Sequence, residues 1–313
     1  MTAVPTKGAA TGSAARAIAC SVSAILLFST MNAAVKTLGE MGYPLSQIVF
    51  CRAFFALVAI SPMIVRNGGL ASLRTARPLG HAGRSLIGLT SMCLGFTAIT
   101  LLPLANAVAL GFTAPLFTTI LGIPLLGERI RWRRAAAVLV GFAGVLVMVR
   151  PNFGPGGEFL SLGTGLALAG AFCAALAMIS IRRLSSTEPS TTIVFYFMAA
   201  ASLVSGAVLP FQFVMPDLTG ALLLVAIGLI GGVAQVLLTT AYRNAPVAVV
   251  APFDYTAMLW ATGWGFVLWG HVPDRAVMVG AAIVVASGIY ILYREVKLGV
   301  AQDAPPKVRP NLS

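Results

Sequence analysis

Side chains able to do chemistry are sparse in this chain, and where they fall is informative. It holds nine acidic residues. Eight of them (Glu40, Glu128, Glu158, Glu188, Asp217, Asp274, Glu295 and Asp303) lie in loops, tails or the edges of apolar runs. Asp254 alone lies inside a run, about two turns from one end. A carboxylate at that depth either exchanges protons or locks its helix to a neighbour by hydrogen bonds, and both readings stay open. Arg52 is the one basic residue left inside a run once the others are assigned to a side. Its planar fork suits a carboxylate; otherwise it snorkels outward or binds carbonyls at a helix end. Pro115 and Pro252 interrupt two runs and mark helix bends, with or without a ligand nearby. Asn32, Asn106 and Gln235 supply hydrogen-bonding groups, and Phe96, Thr97, Tyr255 and Trp260 complete the candidate substrate-binding set. Phe253, Trp260 and Trp264 share a helix face at i, i+7 and i+11, either lining a pocket or packing on neighbours.

Other chemistries lack their residues. There is no Gly-rich phosphate loop, HExxH or paired-carboxylate motif, so an enzyme is not expected. The two histidines, His81 and His271, fall at opposite faces, which excludes a shared metal site. Cys20, Cys51, Cys93 and Cys173 lie inside apolar runs without CxxC spacing and read as buried thiols. No metal or cofactor is expected.

The elements that must position these residues are ten apolar runs, at about 16–36, 44–65, 79–101, 104–126, 133–149, 160–181, 190–212, 218–241, 246–269 and 275–293. Each carries close to the ~20 residues that cross ~30 Å of hydrocarbon. Hydrophobic residues make up 58% and charged ones 10%, with mean hydropathy +0.92; too little polar surface remains to face water. The fold class is therefore an all-α integral membrane protein of ten transmembrane helices. Threading the runs alternately puts 17 of the 21 Lys and Arg on one side, leaving Lys36, Arg150 and Arg275 opposite. Basic loops face the cytoplasm, so both termini are expected there. The net charge of +12 sits at helix ends, where anionic lipid and insertion polarity account for it; nucleic acid is not an expected partner. Arg16, the run after it and Asn32-Ala33-Ala34 resemble a cleavable leader, but its removal would leave nine spans, so a retained first helix is expected.

The chain also repeats itself. A shift of 143 places Gly127 on Gly270, Glu128 on His271, Ala143 on Ala286 and Gly144 on Ser287. Each half then has five helices, an odd number, so the second copy enters from the opposite side. An inverted repeat of this kind supports alternating access about a midplane site. Gly141, Gly144, Gly280 and Gly288 give helices five and ten small-residue faces, for packing within the bundle or for a dimer.

Pro115 followed twelve residues later by Gly127-Glu128, a basic tail and a Gly-rich fifth helix resembles the EamA domain of the drug/metabolite transporter (DMT) superfamily. Val250-Ala251-Pro252-Phe253-Asp254-Tyr255-Thr256 with Trp260 and Gly270 resembles its ninth-helix signature, and Arg52-Ala53-Phe54-Phe55-Ala56 its second helix. His271 departs from the pattern, where Glu is frequent. The resemblance implies two inverted five-helix EamA repeats around a cavity made by all helices except the fifth and tenth. The expected organisation is a cytoplasmic tail at 1–15, a first repeat at 16–155, a second at 156–298 and a cytoplasmic tail at 299–313. It implies a secondary transporter of the bacterial cytoplasmic (inner) membrane with a small-molecule substrate and lipid as partners. Export of amino acids, as by YddG-like exporters, is the expected role. Uptake of a nucleoside-like or vitamin-like compound is the alternative, and a channel a lesser one. A monomer is expected, with a homodimer as the alternative.

The charge tally predicts the result of cysteine labelling in intact cells after the native thiols are replaced. Positions 70 and 130 should be shielded from an impermeant reagent, and positions 155 and 273 should react. Reaction at 130 would overturn the orientation.

Overall fold

A computed structural model describes residues 7–66, 69–126, 132–149, 161–244 and 250–297. The chain ends, the hairpin 127–131 and the stretch 150–160 that holds Arg150 and Glu158 lie outside the described residues. The helices are α1 (Lys7–Glu40), α2 (Leu45–Arg66), α3 (Pro78–Leu101), α4 (Leu104–Gly111), α5 (Ala114–Leu126), α6 (Trp132–Val149), α7 (Leu162–Leu184), α8 (Ser190–Gln212), α9 (Leu218–Asn244), α10 (Ala257–Trp269) and α11 (Arg275–Lys297). Short 3₁₀ turns occupy Gly69–Leu73 and Ala251–Thr256. No strand occurs among the described residues, as hydrocarbon demands of a chain that must satisfy its backbone internally. Seven helical segments, at 15–40, 45–66, 78–101, 104–125, 162–184, 190–212 and 218–241, are long and apolar enough to cross a membrane. The segments 135–147 and 275–291 are shorter apolar helices.

Two apolar runs are not single α-helices. The fourth divides into α4 and α5 at Phe112–Thr113. Pro115 has no N–H for the Gly111 carbonyl and stands in the first turn of α5, where a missing donor costs nothing. Thr113 helps close the junction by donating its hydroxyl to the Leu110 carbonyl at 2.7 Å. In the described part of the ninth run, Ala251–Thr256 form 3₁₀ turns with Pro252 at their second residue, and the chain becomes α-helical at Ala257. A 3₁₀ turn advances ~120° per residue against ~100° in an α-helix, so Phe253 is turned by about 60° relative to Trp260 and Trp264 from its place in a continuous α-helix.

Packing runs between the halves. α1 packs on α9 and α3 on α7; α2 packs on α9 and α3 on α8; α1 packs on α10, while α4 and α5 pack on α7. α2–α8, α4–α10 and α6–α11 also join the halves, while α1–α3, α3–α4 and α2–α3 meet within the first half. Exchanging α1 with α7, α2 with α8, α3 with α9, α4/α5 with α10 and α6 with α11 maps the main contacts between the halves onto themselves. The ends of the bundle follow from side-chain contacts. Tyr43 meets Asp217, and Leu101 and Leu102 flank Gly163, at one end; Thr75 meets Glu188, and Gly80 meets Leu184, at the other. α1 therefore begins at the Thr75 end and α7 at the Tyr43 end, so the counterparts run in opposite directions.

Small residues allow the closest approaches. A Cβ on Gly144 would lie 2.8 Å from the Gly280 carbonyl oxygen, and one on Gly141 would meet Leu116 and Ser287. The glycine faces of the fifth and tenth apolar runs are thus used against each other. A Cβ on Gly228 would lie 2.3 Å from Phe55 Cβ and 2.6 Å from the Cys51 carbonyl oxygen. A methyl there must force α2 from α9, so Gly228→Ala is expected to destabilise by about 1–3 kcal/mol. Gly263 has nothing within 4 Å of its would-be Cβ, so Gly263→Ala should be neutral or slightly stabilising. Thermal unfolding of both variants in detergent checks this; equal midpoints would mean that α2 and α9 are not in close contact.

Candidate functional site

Among the described residues the interior is mostly apolar, with its polar groups concentrated in one layer and at the two ends, apart from Arg84 and scattered hydroxyls. In the layer, α1 contributes Met31 and Asn32, α2 Arg52, α3 Phe96 and α10 Trp260. Met31, Phe96 and Ala261 belong to one buried cluster. At about 1.5 Å per residue, Met31 and Trp260 each lie roughly 14 Å from the Tyr43 end, near half the ~30 Å depth of a bilayer core. Arg52 is 5% exposed. It neither snorkels outward nor caps a helix. Its Nε lies 2.9 Å from Met31 Sδ, and its Nη1 is 3.8 Å from Met198 Sδ on α8. A Cβ on Gly231 of α9 would lie 2.7 Å from its Cζ, so glycine there is what admits the guanidinium. The Trp260 indole Nε1 is buried and unpartnered, an uncommon state for a donor that would make a hydrogen bond in water.

The other candidates are dispersed. Asn32 on α1 and Asn106 on α4 are half-buried. Thr97 donates its hydroxyl to the Cys93 carbonyl of its own helix at 2.9 Å, leaving its oxygen free to accept. Gln235 lines a narrow crevice between α2, α8 and α9 with Met63, Ser190 and Thr239. Tyr255 turns toward α11, where its hydroxyl occupies the space above Gly288, and its ring meets Phe112 edge-on at 5.2 Å. Asp254 lies half-buried in the 3₁₀ turn that precedes α10. His81 and His271 are at opposite ends, and no group of three potential metal ligands occurs among the described residues. The four cysteines are unpaired.

Both ends of the bundle are tied by polar contacts between the halves. At the Tyr43 end, Lys36 is 4% exposed and donates to the open carbonyls of α3, Ile99 at 3.4 Å and Leu102 at 3.1 Å. It also pairs with Glu40 at 3.2 Å, and Glu40 accepts from Trp269 Nε1 at 2.6 Å, joining α1, α3 and α10. Tyr43 donates to Asp217 at 3.0 Å, and burial raises the phenol's pKa, with Asp217 adding to the shift. Gln47 bonds the Val214 backbone in both directions. At the other end, Glu188 accepts from Thr75 at 2.7 Å and lies 3.7 Å from His81 Nε2. The Thr75 bond, above all, holds its carboxyl below the usual carboxylate range. Tyr196 donates to the Leu73 carbonyl, and Thr192 to that of Ser72. The two sets are counterparts: each ties the hairpin turn opening one half to the start of the third helix of the other half.

Sequence reasoning missed Glu40 and Glu188 as inter-half ties, and it placed Arg84 outside the membrane. Arg84 lies six residues into α3, with Nε and Nη1 buried and unpartnered and its Cζ 4.5 Å from the centre of the Phe197 ring. Its distance from the helix start was legible; its inward direction was not.

Comparison with known proteins gives consistent results. The EamA-like transporter family matches at residues 15–150 and again at 161–294. The pseudopaline exporter of Pseudomonas aeruginosa is 33% identical over 270 residues, covering 86% of this chain and 93% of that protein. The S-adenosylmethionine uptake transporter of Rickettsia prowazekii is 29% identical over 80% of this chain and 84% of its own. A riboflavin transporter of Vibrio cholerae is 29% identical over 88% and 92%. A solved crystal structure superposes with TM-score 0.61 at 24% identity, covering 90% of this chain and 98% of that one, which shows the shared fold.

If the layer at mid-depth holds substrate, Trp260→Ala and Asn32→Ala should weaken transport far more than Trp132→Ala, a residue 75% exposed at the start of α6. Losing one aromatic contact of ~1 kcal/mol corresponds to roughly a fivefold change in affinity. Equal losses in all three variants at matched expression would place the substrate elsewhere.

Proposed function

Because this chain belongs to the EamA-like transporter family, we propose that it is a secondary carrier that moves a small metabolite across the bacterial inner membrane by alternating access. The relatives are membrane transporters of small molecules and not enzymes. The reading is carried by the reciprocal packing of the two halves, with matching polar ties at both ends of the bundle. Opening one end and closing the other then exchanges one arrangement for its counterpart, at little net cost in contacts. Ten spans follow when α6, α11 and the composite 251–269 are counted with the seven long apolar segments. The basic residues Arg66, Arg74, Arg77, Arg182 and Arg183 cluster at the Thr75 end, which supports a cytoplasmic placement of that end and of both termini. The functional unit on this reading is the single chain.

The proposed direction and substrate are export of an amino acid or a related metabolite. The exporter at 33% identity supports the direction. Uptake is the second reading, favoured by the S-adenosylmethionine and riboflavin carriers among the relatives. Asp254 is the proposed proton-coupling group, as the one carboxylate placed within an apolar run.

Counterflow in proteoliposomes against amino acids, nucleosides and vitamins tests the carrier reading; saturable exchange of one class is expected, and conductance without saturation would indicate a channel. In the same vesicles Asp254→Asn should abolish accumulation driven by a proton gradient while sparing exchange, since only the charge-changing step is lost. A variant that still concentrates substrate would remove Asp254 from that role.

A further inference from the structure

Two guanidiniums lie inside this bundle with no carboxylate to neutralise them. Lys36 pairs with Glu40, and His81 lies against Glu188, both at the bundle ends and away from these two side chains. Arg52 touches two thioether sulfurs, Met31 Sδ and Met198 Sδ, which are weak acceptors for a group with five N–H donors. Arg84 has the face of Phe197 and leaves Nε and Nη1 unpartnered. A buried cation without a partner is among the costlier features a bundle can carry, and an apolar side chain of similar volume would remove the cost. A charge that is compensated only while an anion is bound accounts for both positions.

The surroundings suit a visiting ligand better than a permanent lock. Arg52 enters α2 seven residues from its start, and its side chain runs on inward to Gly231, which is thirteen residues into α9. It thus ends near mid-depth, in the layer that holds Met31 and Trp260. Methionine is the most readily displaced of core side chains, so two sulfurs can yield to an incoming oxygen pair. Gly231 supplies the room on one side, and Gly88 does so for Arg84, whose Nη1 occupies the place of the missing Cβ. Met198 and Phe197 are consecutive on α8, so the two guanidiniums approach one short stretch of that helix. α8 is the counterpart of α2 and packs directly on it, where the exchange of the halves is centred.

We propose that Arg52 binds the carboxylate of the transported metabolite at mid-depth, and that Arg84 is a second station for the same group toward the Thr75 end. A guanidinium fork takes both oxygens of a carboxylate in parallel. The substrate class is therefore a carboxylate-bearing small molecule, amino acids and their conjugates included, and the buried indole N–H of Trp260 offers a further donor at that depth. This assignment rests on the carrier reading above.

The test uses the full chain in proteoliposomes, with counterflow of radiolabelled L-phenylalanine, S-adenosylmethionine, riboflavin and adenosine. The first two are carboxylates, and each is set against its amide or its decarboxylated form as competitor. The wild type should carry at least one acid, with the competitor lacking the carboxylate about tenfold weaker or more. Arg52→Met and Arg84→Met should each lower acid counterflow by about tenfold or more, with unfolding midpoints in detergent unchanged or raised, because an unpaired buried charge has been removed. Arg52→Lys should raise KM while keeping the preference for acid over amide. Carriage of riboflavin or adenosine alone would overturn the inference and leave the carrier reading standing. So would acid transport by Arg52→Met at the wild-type rate. Should Arg52→Met not fold, Arg52→Lys decides, and a KM equal to wild type overturns the assignment. Carriage of none of the four would remove the carrier reading and this inference together.

Discussion

Each half of this chain is five apolar segments that pack more across the chain's midpoint than on one another. α1 lies on α9 and α10, α3 on α7 and α8, and α2 on α8 and α9. Neither half closes a core of its own, so whatever lies between them is shared by construction. In hydrocarbon there is no hydrophobic drive to bring helices together, and close van der Waals contact must supply it. The glycines at 141, 144, 228, 231 and 232 stand where helices of opposite halves touch, with would-be Cβ positions within 3 Å of the neighbour. Those contacts make the interface tight without covalent or ionic links.

Polar groups are then confined to places where breaking the interface has an effect. The ends carry Lys36, Glu40, Tyr43, Gln47 and Asp217 on one side, and Thr75, His81, Glu188 and Tyr196 on the other. Most of these bonds join halves, and several spend a side chain on a backbone carbonyl that the end of a helix leaves open, as Lys36 does at Ile99 and Leu102. Such bonds are individually modest in a wet end region, which is the requirement for a contact that must be made and broken. Between the ends, the interior is apolar apart from Arg52, Arg84, the Trp260 indole and a few hydroxyls and amides. The two prolines act at the same level of organisation. Pro115 stands in the first turn of α5, after the break at Phe112–Thr113, and Pro252 in the first turn of the 3₁₀ stretch that leads into α10, so α4/α5 and that segment are jointed elements that face each other through α4 and α10.

Much of this was legible in the sequence, and for a definite reason. Bilayer thickness imposes a length on every span and water imposes a charge asymmetry on the loops, so the apolar runs, their approximate bounds and the excess of Arg on one side could be read along the chain, and the repeat from the parity of the runs and their charge polarity. That the helices change at Pro115 and Pro252, to a break before α5 and to 3₁₀ turns before α10, follows from proline's missing donor. Tertiary structure decided what depends on side-chain direction and on partners distant in the chain. It turned Arg52 inward toward Met31, Met198 and Gly231, and not outward to the interface. It brought Arg84, counted with the loop residues by its place in the chain, into the helix bundle. It also directed Tyr255 toward Gly288 and, through the 3₁₀ turn, changed the angle of Phe253 to Trp260. It joined Glu188 to Thr75 and Tyr43 to Asp217 across more than a hundred residues. A span's length and polarity are set by the solvent it must match and can be read along one dimension; the direction of a guanidinium is set by which neighbouring helix leaves it room.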